Sequence, residues 1–402
     1  MEDLTELRQR LRTQRPVAWE QLPDFALYMD QVLSYMDRQV IRFDEDDGLT
    51  SAMVNNYTKS GLVPRAAGKK YNREHLAYLT AICVLKRVMS TRDMDLLIKQ
   101  ELQGERSVAD GYAAFCESLD KALNITADEM ARELGIVVVP LSLEMGGQTY
   151  RNWLDGRDIA FQDFYSRIRA GETATTSAVS VGDFQEQMRE ILSQGKDILY
   201  LSFSSALSTT YQSAVIAADD LREEFPDGQV LVVDSRCASL GQGLLVYLCA
   251  REKAAGRSLT GLRDYAEATK GQICHWFTVD DLNHLKRGGR ISAATALMGT
   301  MLSIKPVLHV DDEGRLISVS KARGRKASLM ALVDRMEATA LDAANGTVFI
   351  SHGDCEGDAL LVADEITRRF GNRDIHLNYV GPVIGNHSGP GTVALFFVGS
   401  KR

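Results

Sequence analysis

Residues 173–218 read TATTSAVSVGDFQEQMREILSQGKDILYLSFSSALSTTYQSAVIAA, and the hydrophobic period changes twice within them. Thr175, Thr176 and Ser177 occupy a loop before Phe184, Met188, Ile191 and Leu192, whose spacing predicts an amphipathic helix. Ile198 to Phe203 is an apolar run, as expected of a buried strand, and a second helix follows. Between that strand and that helix come Ser202, Ser204, Ser205, Ser208, Thr209 and Thr210. Hydroxyls at a helix start can cap its unpaired N–H groups, and the same place attracts anions.

The pattern extends outward on both sides. IVVVPLSLEM (136–145), QVLVVDS (229–235), CHWFTV (274–279) and GTVFISHG (346–353) are β-rich, and they alternate with helical patterns around residues 127–135, 159–170, 241–255 and 358–370. VLHVDDEGRLISVSK reads as a hairpin turning at Glu313-Gly314. Such alternation predicts α/β architecture with a parallel sheet covered on both faces, whose ligands collect at the carboxyl ends of strands. Residues 204–208 and 234–239 fall at such ends. The expected division is a helical domain over 1–124 and two α/β subdomains over 125–272 and 273–402.

Composition narrows the function classes. The chain has 402 residues, 45% hydrophobic and 25% charged, with a net charge of −8, which suits a soluble protein and gives no global reason to bind nucleic acid. MEDLTELRQR is charged where a signal peptide needs an apolar stretch, and no run has the roughly 18 apolar residues of a membrane span, so the expected location is cytoplasmic. Six cysteines without C-x-x-C spacing argue against a zinc site or disulfide framework, and the histidines have no metal-ligand spacing. Neither a metal nor a cofactor is expected.

Residues 1 to about 121 read as helices. Thr50 or Ser51 would cap a short helix that Gly61 and Pro64 stop, exposing Asn55, Asn56 and Lys59, and the loop after it carries Arg65, Lys69, Lys70 and Arg73. The words LTSAMVNNYTKSGLV and KKYNREHLAYLTAICVLKRVMS resemble a small uncharacterised helical domain family whose pattern is similar to MerR-type helix-turn-helix proteins. That resemblance implies DNA contacts by Asn55, Asn56, Lys59, Lys69, Lys70 and Arg73. The segment to Asn124 nevertheless holds slightly more acidic than basic residues, which leaves a protein-interaction module open.

From about residue 125 onward, six ordered segments resemble the DegV family of fatty-acid-binding proteins: TTSAVSVGDF, SFSSALSTTYQSA, DSRCASLGQGLLV, VDDLNHLKRGGRISAATALMGTMLSIKPVL, KARGRK and GPVIGNHSGPGTVALFF. The resemblance implies a two-domain DegV-like α/β architecture behind the all-α N-terminal domain. It further implies a long-chain fatty acid in an internal tunnel, its carboxylate held by Thr176, Ser208 and His387, with Ser205 as a fourth contact. ATALMGTMLSI and GLLVYLCA would supply walls. Part of the family presents the carboxylate to a separate fatty acid kinase, for which Arg290 near the mouth and Arg323 on the surface are the matching contacts. Family members open with a strand ending in an Asp-Ser-Thr turn; residues 111–135 contain neither, so that strand is lost or supplied by other sequence. TTSAVS also lacks the Gln-Pro usual after TTS.

The expected role is therefore non-enzymatic: a carrier that serves a kinase, or a lipid-responsive regulator, with a ligand-sensing transcription factor as the alternative. A serine hydrolase using Ser208, His387 and Asp234 is a remote reading, because no G-x-S-x-G elbow is present. A G-x-x-x-x-G-K-[ST] phosphate loop is missing too.

Overall fold

A computed structural model describes residues 16–39, 48–86, 89–101, 107–123, 127–291 and 304–402. The chain divides into two compact units, Met1–Asn124 and Ile125–Arg402.

In the first unit the described helices are α1 (Met29–Gln39), α2 (Ser51–Ser60), α3 (Arg73–Leu85), α4 (Thr91–Glu101) and α5 (Val108–Leu123). The capping residues act locally as their chemistry dictates. Thr50 accepts from Met53 N–H, Gly61 closes α2 in the left-handed region at φ +81°, and Asn72 with His75 forms a capping box on α3. Val32, Met36, Val54, Leu76, Leu79 and Ile82 build the core of this unit.

The second unit runs α6 (Ala127–Glu133), β1 (Ser142–Met145), β2 (Gln148–Arg151), α7 (Phe161–Arg169), β3 (Ala174–Ser177), α8 (Val181–Ser193), β4 (Ile198–Ser202), α9 (Thr210–Glu224), β5 (Val230–Asp234), α10 (Leu240–Ala254) and α11 (Leu259–Thr269). It continues with β6 (Ile273–Thr278), α12 (Leu282–Arg287), β7 (Ile304–Val310), β8 (Leu316–Arg323), α13 (Arg325–Thr339), β9 (Val348–His352), α14 (Glu356–Phe370), β10 (Ile375–Tyr379), α15 (Pro382–Ser388) and β11 (Val393–Val398). The six-stranded sheet has the order β10-β9-β11-β6-β7-β8. All six residues of β6 are buried, since helices cover both faces. Along β11, Val393, Leu395 and Phe397 pack toward α13 and α14, while Ala394 and Phe396 join the core of α10, the period of two expected of a strand.

Three expectations need correction. Among the described residues parallel pairing is confined to β4–β5 and β9–β10, and the large sheet is mixed because β11 runs antiparallel to both its neighbours. The Thr175-Thr176-Ser177 segment is a strand: β3 pairs antiparallel with β1, which turns through Gly146-Gly147, both at positive φ, into β2. Of IVVVPLSLEM, only residues 142–145 form a strand; residues 136–140 have no sheet partner, and strand structure requires one. The ATALMGTMLSI wall lies outside the described residues except for Ile304. Among the described residues no helix is long and apolar enough to cross a membrane.

Candidate functional site

Alternation along β3 selects one hydroxyl. Ala174, Thr176 and Ala178 turn inward while Thr175 and Ser177 are exposed, and Thr176 lies opposite Leu143 of β1. Facing it is α15, which begins with a proline at its first turn, where the missing N–H costs nothing. Two contacts fix this helix: Asn386 Nδ2 donates to Ala174 O at 3.1 Å, and Tyr165 Oη donates to Val380 O at 2.7 Å. Gly385 lets the helix approach closely, since a Cβ there would lie 2.5 Å from Tyr165 Oη. The consequence is a contact of 2.8 Å between Thr176 Oγ1 and His387 Nε2, across 211 positions of sequence.

These groups line a cavity of about 480 Å³. Ser205, Ser208 and Arg290 line it beside Thr176 and His387, and Phe203, Phe277, Leu285, Leu316, Ile384 and Phe396 give it apolar walls. The volume lies within the roughly 300–1,000 Å³ of small-molecule sites. Ser208 sits at the start of α9, where its Oγ meets Thr210 Oγ1 at 2.8 Å and Thr210 N–H at 3.3 Å. Ser205 is committed elsewhere, because its N–H and its O–H both donate to Asp234, at 3.1 and 2.5 Å. Ser202 and Ser204 are buried, and Ser204 O–H ties the end of β4 to Gly314 O at 2.9 Å.

Electrostatics favour an anion here. The Arg290 guanidinium donates to the carbonyls of Leu207 and Gly288, and among the described residues no carboxylate pairs with it. Burial, helped by Arg290, pushes the His387 imidazole down to about 4, so it is neutral at physiological pH. Among the described residues its buried Nδ1 has no partner. One positive charge therefore faces an apolar cavity beside neutral donors. The residue that seats the ring is Gly288: a Cβ there would lie 2.1 Å from His387 Nδ1. Sequence reading passed over Gly288, although the Gly-Gly pair in LKRGGR was its signal; it put Arg290 near the mouth as a partner contact, and Arg290 lines the cavity.

Other candidates are dispersed. Arg323 is exposed at the end of β8. GLLVYLCA does not line this cavity: Leu244 and Leu245 are core, and Val246 and Tyr247 face a second cavity. Asp234 holds Ser205 and Arg236 N–H, Ser208 pairs with Thr210, and His387 pairs with Thr176, so no hydrogen bonds join Ser208, His387 and Asp234 into a triad. The described residues contain no His, Cys, Asp or Glu cluster fit for a metal, and all six cysteines are free thiols. In the first unit Asn55, Asn56, Lys59, Lys69 and Lys70 are exposed, while Arg73 is partly buried with its guanidinium over the Trp19 ring. Lys70 Nζ likewise lies 5.4 Å from the Tyr28 ring centroid.

A domain of unknown function (DUF1836) matches residues 17–115. The DegV domain-containing protein of Clostridium perfringens is 43% identical over 273 residues, covering 68% of this chain and 94% of its own. Two solved structures share the fold. The fatty-acid-binding DegV family protein of Thermus thermophilus has a TM-score of 0.61 at 32% identity, covering 68% of this chain and 96% of its own. DegV of Bacillus subtilis, a fatty acid binding protein, has a TM-score of 0.59 at 27% identity, covering 68% and 94%. The family of uncharacterised DegV proteins matches residues 120–400, seven-tenths of the sequence, and the chain belongs to the DegV family.

Proposed function

We propose that the cavity binds a long-chain fatty acid, its carboxylate at Thr176, Ser208, His387 and Arg290 and its chain along the apolar walls. The observation that carries this reading is the 2.8 Å Thr176–His387 contact in the wall of a largely apolar cavity that Arg290 also lines, a guanidinium with no carboxylate partner among the described residues. The fatty-acid-binding relatives support it. Ser205 enters as a contact only if its hydroxyl leaves Asp234. Hydrogen bonds to a charged group contribute roughly 1.5–3 kcal/mol each, so Ser208→Ala is expected to weaken binding of the free acid about tenfold or more. A methyl ester should bind wild type and Ser208→Ala about equally. Titration of both ligands against both proteins checks this, and wild-type affinity of Ser208→Ala and His387→Ala for the free acid would refute the assignment.

The binding reading extends to a carrier that presents the carboxylate to a separate fatty acid kinase. Arg323 is exposed at the end of β8, where a planar guanidinium suits a phosphorylated or acidic partner. Arg323→Ala should change stability by no more than about 0.5 kcal/mol and leave lipid affinity unchanged, while lowering turnover in a coupled kinase assay. Equal turnover would remove Arg323 from the interface.

One observation favours a second reading, a lipid-responsive DNA-binding regulator: Asn55, Asn56 and Lys59 of α2 and Lys69 and Lys70 after it are all exposed. If Lys69 and Lys70 each meet a phosphate, replacing both by alanine should reduce the log–log salt slope of DNA binding by about 2. An unchanged slope, or no binding at low salt, counts against DNA as the partner.

A further inference from the structure

Residues 136–140 (IVVVP) and β4 both lead into the cavity described above, for Leu141 and Phe203, which follow them, line it. A second cavity, of about 910 Å³, is lined by Val138 and Val139 of the first segment and by Leu199 and Leu201 of the second. Its two faces are closed by helices. Met188 of α8 belongs to the core under Ile198 and Tyr200, and Val246 of α10 to the core under Leu199 and Leu201. The cavity is thus a slot that has extended chain at its edges and helices on its faces, as a central strand is covered.

Among the described residues neither long edge of the slot is paired with a strand. Ile198 N–H donates to Gln229 O, and in a parallel ladder residues that bond one neighbour alternate with residues that point away. Ile198, Tyr200 and Ser202 therefore face β5, and Leu199 and Leu201 direct their backbone groups into the slot. Leu201 O is met by Gln242 Nε2 at 2.9 Å. Among the described residues nothing meets Leu199 N–H, Leu199 O or Leu201 N–H, and in residues 136–140 only Ile136 N–H has a backbone partner, Ala131 O. Backbone donors and acceptors beside apolar side chains cost free energy until they are paired. An acyl chain would bury these groups and pair none of them. An extended peptide pairs both edges at once.

We propose that this slot accepts one β-strand in trans, an extended apolar segment of a separate polypeptide, lying parallel to β4. Among the described residues no strand of this subdomain fills the slot, and α6 is followed directly by residues 136–140. Helices on both faces require a near-continuous run of Val, Ile and Ala, unlike the alternating pattern of a half-exposed strand. Five residues at about 3.3 Å each match the length of β4. Lys196 and Asp197, just before β4, also line the cavity and could meet the charged flank of such a segment. This inference does not depend on the acyl reading.

The test uses the full-length protein and a fluorescein-labelled peptide, Lys-Lys-Val-Ala-Ile-Val-Val-amide, followed by anisotropy. Expected is saturable binding at one peptide per chain with a rise in melting temperature. A control peptide in which the Ala and the second Val after it become Pro loses two N–H donors and should bind at least tenfold more weakly. Val246→Glu, which puts a charge on one wall, should also weaken binding at least tenfold; the proline control needs no variant and decides the matter if that protein fails to fold. Equal affinity for both peptides would mean apolar adhesion alone and overturn the proposal. So would no binding of either, or a dimer of this chain that excludes the peptide.

Discussion

Gly288→Ala is expected to lower fatty acid affinity by roughly 10- to 100-fold, the loss of one to two hydrogen bonds to a charged group. The backbone tolerates the change, since Gly288 has φ −69° and an ordinary right-handed conformation. The obstacle is the imidazole: the new methyl would lie 2.1 Å from His387 Nδ1, well inside van der Waals contact. The ring must turn away, and the Thr176–His387 contact opens. Secondary structure by circular dichroism should be unchanged, and methyl ester affinity should fall far less than that of the acid. Wild-type affinity for the acid in Gly288→Ala would show that the position of His387 does not matter for binding.

The second large effect concerns acid. His75, His275, His284, His309, His352 and His387 are all held below the ordinary histidine value, in each case chiefly by burial. In the unfolded chain these groups take up protons near pH 6.5, whereas the folded protein resists until lower pH, about 4 for His387. The unfolded state binds more protons in that window, so stability rises with pH there and is lost as pH falls from about 6.5 toward 4. A fully buried histidine contributes a slope of at most about 1.4 kcal/mol per pH unit. His275 is the strongest case: its Nδ1 lies 2.8 Å from Ile273 O, and Arg402 adds to the effect of burial. Urea unfolding at several pH values should show this slope, and His275→Gln should flatten it. A stability that does not change between pH 7 and 5 would contradict the buried neutral state.

Local chemistry was legible in the sequence because it acts over a few residues. The caps at Thr50 and Gly61, the Glu-Gly hairpin turn and the helical periods need no distant partner, and each is found where the pattern put it. The DegV resemblance rested on six segments in order, and the family matches over residues 120–400. Illegible was whatever a strand owes to its neighbour. Thr176 reads as a loop hydroxyl until β1 pairs with β3, and residues 136–140 read as a strand because valines favour one, yet no second edge reaches them.

The site divides in the same way. The sequence by itself determined the two-part chain, the α/β class of its larger part and the hydroxyl-rich loops at strand ends, because periodicity and turn chemistry are properties of neighbouring residues. Only the tertiary structure decided which hydroxyl meets His387, that Asp234 takes the Ser205 hydroxyl, that Arg290 turns into the cavity and that a glycine seats the imidazole. Those outcomes depend on distances between residues as much as 211 positions apart, which strand pairing and helix packing fix and no local pattern encodes.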